Sequence, residues 1–348
     1  MSASLPKLSY VLLSHNREKY IRAAIESAFA QDYEGELEYI FSDDCSTDRT
    51  FEIIKECVAE YKGNRRVVVT QTPRNLHLAG NTNHAVQFIE SDWVIRADDD
   101  DISHVSRCSI IGRAIADNPG CRYVFTRMQL FTDKEDAEIH DASKSSAPEK
   151  IETFKYAYGT GCSESTATFA RTDCLHQTWH ADVYRVFGAL PLAGYYVDDV
   201  ISHYRAMALG FGVSLNVITA YIRAACNNMS KGNDTGGRGY TDIMKLEQFH
   251  DKYYNIVLTP LKQTYQQLQD YFADTTIPML FVELEKFVQQ HDDYSTFWRR
   301  GILNRFKISR KYATLDFYGI LRCLPMPLFA LLLSAIRKIK DNYTRLFS

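Results

Sequence analysis

The sequence predicts an α/β protein in which helices flank a sheet, followed by a mainly helical C-terminal region. Short apolar runs alternate with helical patterns through the first hundred residues, and such alternation is typical of βαβ units around a parallel sheet. Beyond Tyr240 the apolar residues recur mainly at helical spacing. The chain has 348 residues, 45% hydrophobic and 24% charged, which fits one large domain or two ordinary ones and argues against disorder.

Strands and helices are predicted in strict alternation before residue 100. Each strand is predicted from a short apolar run, and each helix from apolar residues on one face, such as Ile21, Ala24 and Ile25. The predicted strands are Leu8–Leu13, Leu37–Phe41, Arg66–Thr70 and Trp93–Ile95. The predicted helices are Arg17–Gln31, one that Thr47 or Asp48 caps, and Asn81–Ile89.

The later part of the chain is predicted from the same patterns. Strands are expected at Arg122–Phe131, Thr166–Ala170 and Val213–Ile222, a helix at Asp198–Leu209, and a polar loop at Asp133–Lys150. The glycine-rich stretch Gly232–Gly239 indicates a boundary. We therefore expect an α/β domain at residues 1–235 and a helical region at residues 236–348.

The charge distribution separates the body of the chain from its C-terminal end. The net charge is −3, so there is no global basic signature for nucleic acid. Residues 299–348 nevertheless contain 11 Lys and Arg against two acidic residues. The eight cysteines include no C-x-x-C pair, which argues against a zinc site and indicates a reducing compartment. No stretch reaches the ~20 apolar residues of a membrane-spanning helix.

Three polar groups stand at the ends of predicted parallel strands, where α/β sheets bind their ligands. They are Ser14-His15-Asn16, Asp43-Asp44 and the run from Asp98 to Asp101. Adjacent carboxylates repel one another unless a cation neutralises them, and Mg²⁺ prefers oxygen ligands. The alternatives are a solvated acidic turn for the run of four, and helix caps for Asp43-Asp44.

These pieces together resemble family-2 glycosyltransferases. The resemblance runs from about Leu8 to Arg223 and rests on four motifs in order. They are the opening segments YVLLSHN, AQDY and SDDCSTDRT, then RNLHLAGNTNHA, then IRADDDDIS, and finally YVDDVISHYR with Gly210. One motif alone would be weak evidence, but four in order imply the A-type glycosyltransferase fold, with a Rossmann-like, mixed nucleotide-binding sheet.

The resemblance also implies the roles of individual residues. Asp199 is expected to be the catalytic base, and Asp100, helped by Asp98, is expected to bind Mn²⁺ or Mg²⁺ beside the leaving diphosphate. Nucleotide contacts are expected from Ser14, His15, Asn16, Asp44, Asn75, Asn83, Asp98 and Asp99. Acceptor or phosphate contacts are expected from Asp198, Arg205, Arg223 and Lys231. One base without a covalent nucleophile implies single displacement with inversion.

Several positions depart from the family pattern. His15 replaces the usual aromatic residue, and Leu76-His77 replaces the usual Gly of the N-x-G stretch. Cys45 replaces a Gly, which predicts that this turn has no positive φ. His104 stands where a proline is expected after the metal motif. None of these changes removes a carboxylate that the chemistry needs.

The leading functional hypothesis is an inverting transfer of a sugar from a nucleotide-diphosphate donor to a hydroxyl of a surface-glycan precursor, such as a capsule or O-antigen. Uridine diphosphate is the expected carrier, with thymidine diphosphate as the alternative. Two other classes remain open. One is a nucleotidyltransferase of sugar phosphates, and the other is a catalytically inactive carbohydrate-binding protein on the same fold.

The basic C-terminal segment suggests where the reaction takes place. The apolar stretch Leu328–Leu333 has cations on both sides, which suits a helix lying on an anionic membrane surface. A lipid-linked glycan acceptor would be met there, so we expect a cytoplasmic protein held peripherally on the inner face of the cell membrane. The alternative is an ordinary helix that packs on the domain and exposes a solvated basic face.

Overall fold

The computed structural model of the protein describes residues 4–148, 150–156, 177–192, 198–224 and 259–273, together with 284–286, 288, 289, 293, 304 and 307. The chain forms two compact units, one of Met1–Ala224 with Gln263–Leu284 and one of Ala225–Lys262 with Glu285–Ser348. The sheet and the candidate site lie in the first unit. The domain boundary at residue 235 stays a prediction.

One mixed sheet organises the described part of the first unit. Its strands are β1 (Leu8–Ser14), β2 (Leu37–Asp43), β3 (Val67–Gln71), β4 (Trp93–Asp98), β5 (Ile102–Ser103), β6 (Cys121–Phe131), β7 (Thr153–Tyr156), β8 (Thr178–His180) and β9 (Phe211–Arg223). Their order is β3-β2-β1-β4-β8-β6-β9-β5, and β7 also pairs with β9. The first four strands run parallel, whereas β5, β7 and β8 run antiparallel to their neighbours.

Helices connect and cover these strands. The described helices are α1 (Ile21–Phe29), α2 (Thr50–Glu60), α3 (His77–Ala85), α4 (Arg107–Asp117), α5 (Asp136–Ala142), α6 (Asp182–Arg185) and α7 (Asp198–Leu209). Short 3-10 turns occur at Val86–Phe88 and Asp133–Glu135. Residues 263–271 of the same unit are also helical.

Both faces of the central strands are buried. Leu8, Tyr10 and Leu12 of β1 belong to one core cluster with apolar residues of α1, α2 and α4. Val11 and Leu13 point to the opposite face and are buried as well, and α3 contacts β1 and β2. A strand that is buried on both faces favours apolar residues on both of its sides, which explains the nearly continuous apolar runs in the sequence.

The register of the parallel strands brings three strand ends together. Ser14 at the end of β1 pairs with Asp43 of β2, and Leu13 pairs with Asp98 of β4. The chain moves from β1 to β2 and β3 on one side, then returns to β4 on the other side. The gap between β1 and β4 is therefore a topological switch point, where open α/β sheets bind ligands.

Most predicted elements are confirmed with small shifts in their ends. The helix Asp198–Leu209 has the predicted bounds, and the first four strands lie at the predicted places. β4 extends to Asp98, so the first aspartate of the run is part of the strand. α1 begins only at Ile21 rather than Arg17, because the preceding residues form a loop in which Asn16 has φ 53°.

The prediction of a loop at Asp133–Lys150 is wrong, because this segment contains a 3-10 turn and α5. Thr132 and Glu135 form a capping box there, which gives this polar sequence a helix start. The helix predicted around Asn81–Ile89 is confirmed, and it begins earlier, at His77. The predicted strand Thr166–Ala170 and the stretch Gly232–Gly239 lie outside the described residues.

Two findings bear on the expectations from composition. The described cysteines Cys45, Cys57, Cys108 and Cys121 are free thiols. Within the part of the chain that the structure describes, no helix has the length and hydropathy needed to cross a membrane.

Candidate functional site

His15 links the ends of β1, β2 and β4. Its backbone N–H donates to Asp99 Oδ2 over 2.7 Å, and its ring Nδ1 lies 2.9 Å from the carbonyl oxygen of Asp44. Its ring Nε2 lies 3.0 Å from Asn75 Nδ2. A carbonyl oxygen only accepts, so Nδ1 carries the proton and Nε2 accepts from the amide of Asn75. Four of the predicted nucleotide-binding residues are thus brought together by one side chain and its backbone.

Asn16 fixes the loop after β1 to the loop after β2. Its backbone is left-handed, with φ 53°, a conformation that asparagine tolerates better than most residues. The backbone N–H of Asn16 donates to Ser46 Oγ over 2.9 Å, and Asn16 Oδ1 accepts from the backbone N–H of Thr47 over 2.8 Å. The predicted nucleotide residue Asn16 is therefore held by contacts on both sides.

The two aspartates after β2 have different surroundings. Asp43 is fully buried and accepts hydrogen bonds from the Ser46 backbone and from Gln71 Nε2, while Ser14 Oγ lies 3.3 Å from its Oδ1. These contacts make Asp43 a turn-forming residue. They also place Ser14, the end of β1, against β2.

Asp44 faces the loop before α3. Its Oδ1 accepts from Thr72 Oγ1 and from the backbone N–H of Leu76, each over 2.8 Å. Its own backbone N–H donates to the carbonyl oxygen of Ser14 over 2.8 Å. The carboxylate is thereby oriented beside the loop that carries Asn75. Its contact with a nucleoside stays a prediction.

Two turns at this edge have a positive φ without glycine. Cys45 has φ 56°, so the prediction that its turn needs no positive φ is wrong. His77 has φ 59°, and its backbone N–H donates to Asn75 Oδ1 over 2.9 Å. Both residues occupy positions where the family pattern has Gly. At both positions, residues with side chains therefore hold a backbone conformation that glycine adopts more readily.

The acidic loop, defined as Asp98–Asp101, is braced at both ends. Asp98 Oδ1 accepts from Arg96 Nη2 over 2.9 Å. Asp101 is buried, and its Oδ1 accepts from the backbone N–H of Arg223 over 2.8 Å. Burial raises the pKa of Asp101 to about 7, although the Arg223 hydrogen bond and nearby arginines oppose this.

The middle of the acidic loop is short of positive charge. Arg17 Nε lies 3.6 Å from Asp99 Oδ1 and 3.4 Å from Asp100 Oδ2. Burial and the Asp100 carboxylate raise the pKa of Asp99 well above its usual range, against the effect of Arg17. Burial and Asp101 likewise raise the pKa of Asp100. Arg17 is thus one guanidinium beside two largely buried carboxylates.

The donor set of the acidic loop fits a hard divalent cation. Buried carboxylate oxygens with uncompensated charge are the ligands that Mg²⁺ and Mn²⁺ prefer. Among the described residues, no three acidic, histidine or cysteine side chains converge as a preformed metal cage. Mg²⁺ commonly uses one or two carboxylates and completes its shell with substrate phosphates and water, so the acidic loop fits such an ion without a third protein ligand. The assignment of Asp100 and Asp98 as its ligands stays a prediction.

Arg223 holds the acidic loop against the segment after β6. Its guanidinium donates to Asp133 Oδ1 over 2.8 Å and to Asp136 Oδ1 over 2.6 Å, and its Nε donates to the carbonyl oxygen of Asp100 over 3.0 Å. Two aromatic rings lie 4.5 Å from it. Hydrogen bonds from Lys19 and Arg223 lower the pKa of Asp133 to about 2. A contact of Arg223 with phosphate stays a prediction.

Arg205 and Asn83 both form hydrogen bonds with the backbone of the segment at residues 183–190. Arg205 is fully buried, and its guanidinium donates to the carbonyl oxygen of Gly188 over 2.8 Å and to Gln267 Oε1 over 2.9 Å. Burial lowers its pKa to about 10. The side-chain amide of Asn83 exchanges two hydrogen bonds with the backbone of Leu190. These contacts order the segment around residues 183–190 and leave both predicted roles untested.

Three predicted residues have no described side chain. α7 begins at Asp198, as expected, but the side chains of Asp198 and Asp199 lie outside the described residues, as does all of Lys231. The assignment of Asp199 as the base therefore rests on the sequence motif.

Sequence reasoning missed three arginines that surround the acidic loop. Arg107 donates to the carbonyl oxygen of Arg96 over 2.7 Å and to Ser103 Oγ over 2.9 Å, while Arg17 faces Asp99 and the next carboxylate. Arg17 directly follows the SHN motif and Arg96 lies inside IRADDDDIS, so their positions in these motifs could have identified both. No motif or pattern pointed to Arg107, because it lies in a helix that the sequence patterns did not indicate.

Comparisons with known proteins identify a family and a fold that this chain resembles. Residues 9–176 match the family described as Glycosyl transferase family 2. Over 102 residues the chain is 35% identical to the putative glycosyltransferase EpsE of Bacillus subtilis, covering 29% of this chain and 36% of EpsE. Over 97 residues it is 33% identical to the poly(ribitol-phosphate) beta-N-acetylglucosaminyltransferase TarS of Staphylococcus aureus, covering 27% of this chain and 16% of TarS. The matched segments thus span about a third or less of these relatives.

Two solved glycosyltransferase structures share the fold. TarS 1–349 from S. aureus in complex with UDP-GlcNAc aligns with a TM-score of 0.54 at 14% identity, covering 95% of this chain and 92% of that one. The mannosyltransferase PcManGT from Pyrobaculum calidifontis in complex with GDP-Man and Mn²⁺ aligns with a TM-score of 0.54 at 11% identity, covering 98% and 90%. The predicted A-type glycosyltransferase fold is confirmed.

Proposed function

We propose that the protein is a metal-dependent inverting glycosyltransferase. The premise is that residues 9–176 match glycosyl transferase family 2 and that the chain has an A-type glycosyltransferase fold. It would move a sugar from a nucleoside-diphosphate donor to a hydroxyl of a surface-glycan precursor. The observation that carries this proposal is the convergence of His15, Asp44 and Asp99 at the switch point between β1 and β4.

The nucleoside would lie over the loops after β1 and β2. Asp44 can accept from a base N–H or ribose hydroxyl, and Asn75 and Asn16 carry amides close to the His15 ring. Ser14 supports this surface from the end of β1. Both ring nitrogens of His15 have hydrogen-bond partners, so the ring would present its face to the base.

The diphosphate would lie beside the acidic loop. Asp100, with help from Asp98, would hold Mn²⁺ or Mg²⁺, which supplies positive charge to the leaving diphosphate. Asp99 is bound to the His15 backbone, so it would orient the loop rather than ligate the ion. Arg223 keeps the Asp100 backbone in place through its Nε hydrogen bond.

Asp199 would be the general base. It stands in the first turn of α7, and its motif matches the acid pair of the family. Its carboxylate would take the proton of the acceptor hydroxyl as the oxygen attacks the anomeric carbon and the bond to the diphosphate breaks. Single displacement of this kind inverts the anomeric configuration. Asp198, Arg205 and Lys231 are proposed to contact the acceptor or phosphate.

The donor is proposed to be a UDP-sugar. TarS, which shares 33% identity with this chain over 97 residues, has a structure in complex with UDP-GlcNAc, whereas PcManGT was solved with GDP-Man. A polysaccharide or lipid-linked glycan precursor is the proposed acceptor. The basic segment 299–348 is proposed to hold the protein peripherally on an anionic membrane surface on the cytoplasmic side, where a lipid-linked acceptor would be met.

Isothermal titration with a panel of nucleotide-sugars, with and without Mn²⁺, tests this function. Metal-dependent binding of one UDP-sugar, followed by its hydrolysis or transfer with release of UDP, would support the proposal. Binding of a nucleoside triphosphate with a sugar phosphate, and release of pyrophosphate, would identify a nucleotidyltransferase instead. Binding of glycans without any nucleotide would indicate an inactive carbohydrate-binding protein.

A further inference from the structure

Among the described residues, four arginines surround the acidic loop, and one of them differs from the others. Arg96, Arg107 and Arg223 are at most 3% exposed, and their guanidinium groups donate hydrogen bonds of 2.6–3.0 Å. The Arg17 side chain is 27% exposed. Arg17 is therefore the arginine of this group that reaches solvent from the loop.

Arg17 is also the loosest of these partners. Its Nε lies 3.6 Å from Asp99 Oδ1 and 3.4 Å from Asp100 Oδ2. Both distances exceed the ~2.7–2.9 Å of a charge-assisted hydrogen bond. Its backbone, in contrast, is anchored, because its N–H donates to Thr50 Oγ1 over 2.7 Å. The side chain can exchange its partners without moving the loop after β1.

The charge balance is incomplete at this point of the site. One guanidinium faces the two carboxylates of Asp99 and Asp100, whereas a divalent ion would balance both. A divalent ion and Arg17 together would place three positive charges against two negative ones. The two cations therefore oppose each other until a diphosphate brings further negative charge.

We infer that Arg17 is the exchangeable counterion of the acidic loop. In the metal-free protein its guanidinium neutralises Asp99 and Asp100. When a divalent ion binds beside Asp100, the Arg17 side chain turns to the diphosphate of the donor. Arg17 and the metal ion thus compete in the absence of nucleotide and cooperate in its presence. This inference rests on the proposed function, since it requires a diphosphate ligand and a divalent ion.

Loss of the Arg17 charge should change the affinities for the metal ion and for the nucleotide in opposite directions. Arg17→Gln removes the competing cation, so the metal ion should bind more tightly. The same change removes a cation that faces the diphosphate, so the nucleotide should bind more weakly. A residue that only supported the local structure would weaken both, which makes the sign of the metal effect decisive.

The experiment is isothermal titration of Mn²⁺ alone into metal-free protein, for wild type, Arg17→Gln, Arg17→Lys and Arg22→Gln. UDP and inorganic pyrophosphate are then titrated at saturating Mn²⁺. Arg22→Gln is the matched control, because Arg22 lies on α1 but pairs with Glu56 and Glu60 of α2. Circular dichroism confirms that each variant is folded.

We expect Arg17→Gln to bind Mn²⁺ about tenfold more tightly than wild type, and UDP and pyrophosphate about tenfold more weakly. Arg17→Lys keeps the charge and should stay within about threefold of wild type for all three ligands. Arg22→Gln should leave every affinity unchanged.

Unchanged or weaker Mn²⁺ binding by Arg17→Gln would overturn the inference, as would an equal effect of Arg22→Gln. The same holds if pyrophosphate and UDP bind Arg17→Gln as tightly as wild type. If wild type binds Mn²⁺ and UDP, and Arg17→Gln binds both with the same affinities, this inference alone is refuted. If wild type binds neither ligand, the proposed function is refuted together with the inference.

Discussion

The backbone N–H of His15 donates a 2.7 Å hydrogen bond to Asp99 Oδ2, which joins the loop after β1 to the acidic loop after β4. Asp99 stands between the two aspartates of the D-x-D-D motif, Asp98 and Asp100. The Asp99 carboxylate therefore anchors the acidic loop to the loop after β1, apart from the proposed metal ligands Asp98 and Asp100. In the proposed function, this bond connects the surface for the nucleoside with the surface for the diphosphate.

Asp100→Asn should abolish both transfer and metal-dependent binding of the donor. The variant removes a negative charge from the site that would hold the divalent ion, and the several kcal/mol that such an ion supplies correspond to more than about 10³-fold in rate. Activity is measured as release of the nucleoside diphosphate, and donor binding by titration with and without Mn²⁺. Asp92→Asn, at an exposed ion pair with Arg185, is the control and should behave as wild type. Full activity of wild type after treatment with a chelator would exclude a metal role.

Asp199→Asn should keep donor binding and lose turnover. An amide cannot take the proton of the acceptor hydroxyl, and loss of a general base costs roughly 10²–10⁴-fold in rate. The measurement is kcat at saturating donor, together with the donor dissociation constant. A variant that kept its kcat but bound the donor poorly would show that Asp199 is a binding residue.

Cys45→Gly and Cys45→Val should have different effects on stability. Cys45 has φ 56°, a conformation that costs an L-residue about 1 kcal/mol and costs glycine nothing. Glycine also gains about 0.5–1 kcal/mol of freedom in the unfolded chain, so Cys45→Gly should be near neutral. Valine is β-branched and should destabilise the fold by about 1–2 kcal/mol. The free energy of unfolding is measured with urea, and equal stability of the two variants would contradict the assigned turn.

His104 should make folding stability depend on pH. Its backbone N–H donates to the carbonyl oxygen of Thr219, a bond that the expected proline could not form, and its Nδ1 accepts from the Ser106 backbone. Burial lowers the pKa of His104, although Asp32 opposes this. The unfolded chain then binds more protons below its ordinary pKa of about 6.5, so stability should fall as the pH drops through that value.

The matched variant is His104→Asn, which keeps an acceptor for the Ser106 N–H but does not titrate. The free energy of unfolding of wild type relative to this variant should be largest above pH ~7 and should decrease towards pH ~5.5. A difference that stays constant would show that His104 keeps its ordinary pKa in the folded protein, and one that grows on acidification would show that folding raises this pKa; either result contradicts the prediction.

The basic segment should bind anionic membranes. Each cation near an anionic surface adds about 1 kcal/mol, so the full chain should co-sediment with anionic liposomes at low salt and be released at high salt. Changing Arg337, Lys338 and Lys340 to Glu should abolish binding. The control changes the exposed Lys55, Lys62 and Lys134 to Glu and should still bind. If full-length protein ignores anionic liposomes at low salt, the membrane hypothesis is wrong.

The sequence alone determined the parallel half of the sheet and the residues at its edge. Apolar runs and helical stripes are local patterns, and they correctly predicted β1 to β4 and α7. Because parallel strands end at the same edge, the polar residues after those strands had to lie near one another. The turn at Cys45 was misjudged, since a positive φ can be imposed by surrounding contacts on a residue that does not favour it.

Only the tertiary structure decided which charged groups meet. Arg223 contacts Asp133 and Asp136 from 90 and 87 positions away, and the His15 backbone meets Asp99 across 84. No local pattern encodes such a pair, because the packing of separate strands and helices sets its distance. The sequence therefore identified the acidic loop. The fold determined that Arg223 donates a hydrogen bond to the backbone of this loop and that Arg17 faces the carboxylates of Asp99 and Asp100.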